Sequence, residues 1–192
     1  MNKKLIVFAC STGGPKVLQD IIPKLPGDLT IPILIVQHMQ EGLTLSLAKR
    51  LDLLSELTVK EASDNERILP GRVYIAKAGK HMKVYSSFSE DWISLSDEDF
   101  RKGVKPCADY LFESLINTNF DEIVCIVLIG MGDDGTDGIR ELSMYKKIIV
   151  YAEDENSSVV YGMPSSLINN IPGCISCTPG EIVSEIIRLS EE

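Results

Sequence analysis

The chain is 192 residues long, 44% hydrophobic and 24% charged, which is the composition of an ordinary folded domain with a sizeable core. Its formal net charge of −9 argues against binding to nucleic acid or to an anionic membrane surface, since both need a clustered positive face. Five irregularly spaced cysteines favour reduced thiols over a disulfide framework, and no apolar run is long enough to span a membrane. We therefore expect a cytoplasmic protein without direct membrane insertion.

Strand and helix signals alternate in the first third of the chain. The apolar run 5–10 predicts a buried strand, and Pro15 followed by apolar residues within 17–22 predicts a helix. A second apolar run, 31–37, predicts another buried strand. Leucines spaced along 43–54 then predict a second amphipathic helix.

The middle of the chain has a different pattern. Segments 57–62, 71–79, 81–86 and 91–95 are short, partly alternating and separated by turn residues. They predict a small antiparallel addition, with a hairpin at about 72–96.

The strand and helix alternation resumes after this addition. The remaining predicted elements are a helix at 105–118, a strand at 122–130, a helix at 136–144, a strand at 147–152, and helices near 159–168 and 179–192. Helical crossovers between strands predict a doubly wound, mostly parallel sheet with helices on both faces. We expect one three-layer α/β/α domain over residues 1–192.

Chemically useful side chains follow the three most apolar strands. Ser11 follows the first strand, His38 the second, and the pair Asp133–Asp134 the third. In a parallel sheet these strand ends share one edge, where ligands bind. A serine nucleophile, a histidine base and an orienting carboxylate would meet there, as in hydrolase triads. The spacing does not choose between the two aspartates.

The glycine-rich turns have alternative interpretations. In "STGG", the backbone N–H groups of Thr12 and its neighbours could hold an oxyanion, or they could cradle a phosphate. The segment "GMGDDGTDG" could be a phosphate loop, or a magnesium site that uses Asp133, Asp134 and Asp137. Taken alone, His38 could also be a residue that caps its strand.

Two further features have simpler interpretations. His81, the second of two histidines, begins a hairpin-like segment and fits an edge-strand or loop residue. Cys174 and Cys177 have CxxC spacing, but no second pair or nearby histidine completes a zinc site. We expect no bound metal and no cofactor.

The chain resembles the catalytic domain of the CheB family, the chemotaxis protein-glutamate methylesterases. The resemblance rests on six ordered blocks that cover nearly all of the sequence. These blocks are "ACSTGGP", "VQHMQEGLTLSLAKRL", "GRVYIAKAGKHM", "KPCADYLFESL", "LIGMGDDGTDGI" and "EDENSSVVYGMP".

The resemblance implies a role for each matching residue. Ser11 is at the position of the family's nucleophile, His38 at that of its base, and Asp134 at that of its triad aspartate. Thr12 and Met131 are at the positions whose backbone N–H groups face the oxyanion. The implied fold, a doubly wound α/β sheet with a hairpin, agrees with the element order.

The implied activity is that of a serine hydrolase which removes methyl esters from glutamyl γ-methyl ester residues of chemoreceptors during adaptation. Deamidation of glutamine by the same intermediate is a related expectation. The implied partners are the receptors' cytoplasmic helices and a possible separate regulatory protein, because the receiver domain that usually precedes this domain is missing. We therefore expect a stand-alone enzyme or an excised domain. The alternative functions are a non-catalytic receptor-binding module and a phosphate-ligand-binding α/β module.

The chain departs from the family pattern at several positions. Ala9–Cys10 replaces the usual Gly-Ala, and Gln40 and Lys77 replace prolines. Leu45 occupies the position of a frequent arginine, and Cys107 that of a common serine. None of these changes replaces a triad residue.

Overall fold

The computed structural model describes residues 3–191, which form ten strands and six α-helices. In chain order these are β1 (Lys4–Cys10), α1 (Gly14–Ile21), β2 (Ile33–Gln37), α2 (Leu43–Leu54), β3 (Thr58–Glu61), β4 (Glu66–Arg67), β5 (Arg72–Ile75), β6 (His81–Ser87), β7 (Glu90–Ser96), α3 (Ala108–Ser114), β8 (Glu122–Val127), α4 (Thr136–Leu142), β9 (Lys147–Glu153), α5 (Gly162–Asn170), β10 (Ile175–Cys177) and α6 (Pro179–Glu191). The predicted last helix extended to Glu192, which lies outside the described residues.

Seven strands form one parallel sheet in the order β10-β9-β8-β1-β2-β5-β3. The chain starts in the middle of this sheet and extends it first to one side and then to the other. This order confirms the predicted doubly wound, mostly parallel architecture.

The two faces of the sheet are covered by different helices. Along β1, Ile6 and Phe8 point to one face, where they pack with apolar residues of α1, α2 and α6. Leu5 and Val7 point to the other face and pack with α3, α4 and α5. All four side chains are fully buried, which explains why β1 is a continuous apolar run.

The middle of the chain differs from the prediction. Segments 57–62 and 71–79 contribute β3 and β5, which are parallel strands of the main sheet. Only β4, β7 and β6 form the small antiparallel sheet, and its hairpin pairs residues 81–87 with 90–96. The connection from β3 to β5 runs through β4 and contains no helix, so the local sequence lacks the usual pattern of a parallel crossover.

One short strand was absent from the prediction. β10 is an edge strand of three residues that pairs with β9, and two of its three residues are exposed. It therefore lacks the continuous apolar run by which the central strands β1, β2 and β8 can be detected. Within residues 3–191, no helix is both long and apolar enough to cross a bilayer.

A glycine at the contact between α3 and α4 is expected to be essential for packing. A Cβ at Gly138 would lie 2.7 Å from the carbonyl oxygen and 2.8 Å from the Cα of Asp109, and backbone atoms cannot move aside cheaply. We expect Gly138→Ala to lower the free energy of unfolding by about 1–3 kcal/mol. Gly180→Ala in α6, where a Cβ meets nothing within 4 Å, is the matched control. Urea unfolding that gave equal changes for both variants would contradict this packing argument.

Candidate active site

The three strand ends identified in the sequence lie side by side. β1 lies between β8 and β2, and all three strands run parallel. The N–H of Ser11, directly after β1, donates to the carbonyl of Ile129, just beyond β8, at 3.0 Å. The N–H of His38, directly after β2, donates to the carbonyl of Cys10 at 3.0 Å. Ser11 and His38 therefore leave the sheet at the same carboxyl edge.

A tight turn carries the chain from Ser11 into α1. Gly13 has a φ of +92°, in the left-handed region that favours glycine. Beneath the turn, the amide nitrogen of the buried Gln37 donates to the carbonyl of Ser11 at 2.8 Å and to that of His38 at 3.0 Å. One side chain thus fixes the backbone of both residues. This role of Gln37 has no signal in the sequence, because its partners can be known only once β1 and β2 are paired.

His38 contacts Asp134 directly. The Nε2 atom of His38 lies 2.7 Å from Oδ2 of Asp134, and the two side chains are 10% and 4% exposed. An ionised carboxylate can only accept a hydrogen bond, so Nε2 carries the proton and donates it. In the neutral ring, Nδ1 is then the nitrogen that can accept a proton.

Ser11 and His38 are not joined as His38 and Asp134 are. In the part of the chain that the structure describes, the Ser11 hydroxyl makes no hydrogen bond to the His38 ring, and Ser11 is partly exposed. Such contacts are often long in an enzyme without substrate and shorten when substrate binds. The proton transfer between these two residues therefore stays a prediction.

Asp134 accepts four hydrogen bonds. Its Oδ2 accepts from His38 Nε2 at 2.7 Å and from the N–H of Ala108 at 2.7 Å. Its Oδ1 accepts from the Cys107 thiol at 3.0 Å and from the N–H of Asp109 at 3.0 Å. Burial alone would raise the pKa of Asp134, but the hydrogen bonds from His38, Cys107 and Ala108 outweigh it, so the pKa lies below its ordinary value. The carboxyl group is therefore ionised at neutral pH.

The two adjacent aspartates have different surroundings. Asp134 is 3% exposed and bonded to His38, whereas the side chain of Asp133 is 61% exposed and lies 3.4 Å from the Lys102 ammonium. Only Asp134 contacts the histidine. The choice that the sequence left open thus depends on which carboxylate the turn directs inward.

A second buried carboxylate, Asp109, supports the loop that carries Asp134 (residues 133–137, the acidic loop). Its Oδ1 accepts from the N–H of Gly135 at 3.0 Å and from that of Gly138 at 2.8 Å, and its Oδ2 pairs with Lys102 at 2.8 Å. Burial raises the pKa of Asp109 above its ordinary value, although Lys102 and Gly138 oppose this rise. Asp134 thus caps the start of α3 while Asp109 caps the start of α4. No local sequence pattern signals this reciprocal arrangement.

The acidic loop is already occupied by protein donors. Of the three aspartates considered as magnesium ligands, Asp134 uses both oxygens on the donors described above. Asp133 and Asp137 face the ammonium of Lys102, at 3.4 and 2.7 Å. Cys107, Asp109 and Asp134 also place ligand atoms within 4.8 Å of one another, but the thiol donates to Asp134 and the carboxylate oxygens face the donors described above. Neither set offers three free ligand atoms.

Two exposed backbone segments flank Ser11. Thr12 and Met131 are both exposed, and within residues 3–191 neither N–H has a hydrogen-bond acceptor. Beside Met131, the N–H of Gly130 donates to the carbonyl of Val160 and the carbonyl of Gly130 accepts from Met163, both at 2.9 Å. The loop is thus held in place while two N–H groups stay available to a ligand. These are the two positions that the resemblance assigns to the oxyanion hole.

Glu153, at the end of β9, lies beneath this loop and was not identified from the sequence. It is fully buried, and its Oε2 accepts from the N–H of Ile129 at 2.8 Å. Because the carbonyl of Ile129 accepts from Ser11, the glutamate supports the serine turn and the Met131 loop together. Its sequence signal is weak, since a single glutamate at a strand end is common.

We expect Glu153→Ala to lower the rate of the reaction expected at Ser11 about tenfold and the free energy of unfolding by about 1–3 kcal/mol, because the N–H of Ile129 loses its buried acceptor. Glu153→Gln keeps an acceptor oxygen and should retain most of both quantities. Steady-state rates and urea unfolding measure the two effects, with the exposed Glu155→Ala as control. Equal losses in the alanine and glutamine variants would contradict this role.

The remaining candidates lie away from His38. His81 is the buried first residue of β6, an edge strand, which fits its simpler interpretation. Its Nδ1 accepts from the N–H of Cys107 at 3.1 Å, and its Nε2 lies 3.0 Å from the carbonyl of Asp99. Cys174 and Cys177 are unpaired, and burial raises the pKa of Cys174 to about 11, so this thiol stays protonated at neutral pH.

Together these features define a three-layer α/β domain with a serine, a histidine and a buried aspartate at the carboxyl edge of a parallel sheet. The family model described as CheB methylesterase matches residues 6–186. The chain therefore belongs to the CheB methylesterase family, which confirms the resemblance seen in the sequence.

Individual relatives agree with this assignment. The protein-glutamate methylesterase/protein-glutamine glutaminase of Bacillus licheniformis is 49% identical over 88% of this chain, and that of Bacillus subtilis is 44% identical over 87%. The chain spans 47% of the length of each relative. The crystal structure of the Thermotoga maritima CheB methylesterase catalytic domain superimposes on this chain with a TM-score of 0.91 and 38% sequence identity. The match covers 98% of this chain and 100% of the Thermotoga chain.

Proposed function

We propose that this chain is a serine hydrolase that removes methyl esters from glutamyl γ-methyl ester residues on the cytoplasmic helices of chemoreceptors. The observation that carries the proposal is the buried hydrogen bond between His38 and Asp134 at the same sheet edge as Ser11. The names of the relatives support the substrate class.

The proposed reaction gives each of these groups one role. Ser11 Oγ attacks the ester carbonyl while Nδ1 of His38 accepts its proton, and Asp134 stabilises the imidazolium that forms. The free N–H groups of Thr12 and Met131 stabilise the oxyanion. The imidazolium then protonates the departing methoxide, which leaves as methanol, and water hydrolyses the acyl-enzyme with the same histidine as base.

Selectivity for the receptor must come from the surface around the ester, because a methyl group offers little area for binding. Met131 is 71% and Val159 95% exposed, and their loops are joined by the hydrogen bond from Gly130 to Val160. This exposed apolar pair suits a helix surface that presents the ester at the edge of the sheet. A glutamine side chain would give the same acyl-enzyme with ammonia as the leaving group, so we propose deamidation as a second reaction of the site.

Methanol release from membranes that carry methylated receptors tests the proposal. Release above the uncatalysed rate, together with ammonia release from receptors whose glutamines are intact, is expected. Binding of inorganic phosphate with no release of methanol would instead favour a phosphate-binding module. Receptor binding without release of methanol or ammonia would favour a non-catalytic module.

We expect chelation of divalent metals with EDTA to leave the rate of methanol release unchanged. The mechanism uses only protein groups, and Lys102 already neutralises the exposed carboxylates of the acidic loop. The measurement compares rates before and after dialysis against EDTA, and again after magnesium is restored. A loss that magnesium reverses would contradict the mechanism.

A further inference from the structure

The Cys107 thiol is an unusual member of the group of donors around Asp134. It is fully buried, and its sulfur lies 3.0 Å from Oδ1 of Asp134. Burial and the adjacent carboxylate of Asp134 both raise the pKa of the Cys107 thiol well above its ordinary value. The thiol therefore keeps its proton and donates it, because an ionised carboxylate can only accept.

The backbone of Cys107 is held from the opposite side. Its N–H donates to Nδ1 of His81 at 3.1 Å, so Nε2 of His81 carries the ring proton and donates to the carbonyl of Asp99 at 3.0 Å. This imidazole also packs against the ring of Tyr110 in a T-shaped arrangement, with 4.7 Å between ring centroids. The buried imidazole thus fixes the residue that bears the thiol and the start of α3.

We propose that Cys107 is a positioning residue for Asp134. The Cys107 thiol holds Oδ1 of Asp134 in place and leaves most of the carboxylate's negative charge to His38. A thiol is a weaker hydrogen-bond donor than a hydroxyl, so it draws less charge from the carboxylate than the serine that is common at this position in the family. Its effect on rate rests on the proposed function, whereas its effect on the titration of Asp134 does not.

Other charged and titratable groups also face Asp134, and they set the background for that titration. His38 approaches from the end of β2, and the Asp109 carboxylate approaches from α3. Lys102 pairs with Asp109 and, more distantly, with the neighbouring Asp133. These groups are the same in all variants of residue 107, so differences between the variants report the donor at that position.

The test is the titration of the Asp134 carboxyl carbon, followed by carbon-13 NMR in the wild type, Cys107→Ser and Cys107→Ala. The pKa of Asp134 is expected to fall by about 0.5 in the serine variant and to rise by about 0.5 in the alanine variant. Cys125→Ala removes a buried thiol of β8 that donates to the carbonyl of Ile123 and not to Asp134, and it is the matched control, with no shift expected. If Cys107→Ala does not fold, the difference in Asp134 pKa between the wild type and Cys107→Ser alone tests the proposal.

Rates give a second readout. The serine variant should keep kcat within about threefold, whereas the alanine variant should lose about threefold to tenfold in kcat with little change in KM. An Asp134 pKa that is the same in wild type and Cys107→Ser would overturn the proposal, even with methanol release intact. If the Asp134 pKa shifts as expected in the variants but neither the wild type nor any variant releases methanol, the positioning role is retained and the proposed function is refuted.

Discussion

Replacing Ser11 with alanine is expected to lower methanol release from methylated receptors by about 10⁴-fold or more. The substitution removes the oxygen that attacks the ester carbonyl and carries the acyl group in the proposed mechanism. Because Ser11 is held through its backbone N–H and carbonyl, the turn should survive. The free energy of unfolding should therefore change by less than about 0.5 kcal/mol.

Initial rates at saturating receptor concentration, together with urea unfolding, measure the two halves of this prediction. Ser89→Ala, at the exposed tip of the hairpin between β6 and β7, is the matched control and should act as the wild type does. A rate for Ser11→Ala within tenfold of the wild type would eliminate the serine as nucleophile.

The second large effect is expected for Asp134→Asn, with a loss of about 10⁴-fold in rate. The carboxylate faces four donors, and an asparagine must turn its own NH₂ group towards some of them. If that group faces His38, the ring must accept at Nε2, and Nδ1 then carries a proton and cannot serve as base. If it takes the place of Oδ1, the buried Cys107 thiol and the N–H of Asp109 lose their acceptor, at a cost of about 1–3 kcal/mol each.

The stability of the protein should respond to pH through the same residue. Because the folded-state pKa of Asp134 lies below its unfolded value, its contribution to stability is present above the unfolded pKa of about 4 and is lost as pH falls through the folded pKa. The difference in unfolding free energy between wild type and Asp134→Asn should therefore shrink in acid. Asp133→Asn, at the exposed neighbour, is the control and should show little loss of rate. A constant difference from pH 7 to pH 3 would contradict the assigned ionisation.

The main sheet could be predicted because its central strands are continuous apolar runs separated by amphipathic helices. β1, β2 and β8 are buried on both faces, and a helix follows each of them. β3 and β5 were assigned to the antiparallel addition because the segment between them holds a strand of another sheet and no helix. β10 could not be predicted, because an exposed three-residue edge strand has no hydrophobic pattern.

The candidate site could be predicted in part for a related reason. Ser11 and His38 stand directly after apolar strands, so the topology alone brings them to one edge. Asp134 differs from Asp133 only by its burial against the start of α3, and no local pattern encodes that. Glu153 and Asp109 act through N–H groups 24 to 29 residues away, so their roles depend on contacts that exist only in the folded chain.

The proposed mechanism depends on an acyl-enzyme intermediate in which Ser11 carries the acyl group. The direct measurement is mass spectrometry of the protein after acid quenching within the first turnover on a methylated receptor fragment. The account predicts that the peptide containing Ser11 gains the mass of the receptor segment as methanol is released, and that Ser11→Ala shows neither the gain nor the release. Methanol released in the first turnover with Ser11 unmodified, or with the acyl group on another residue, would contradict it.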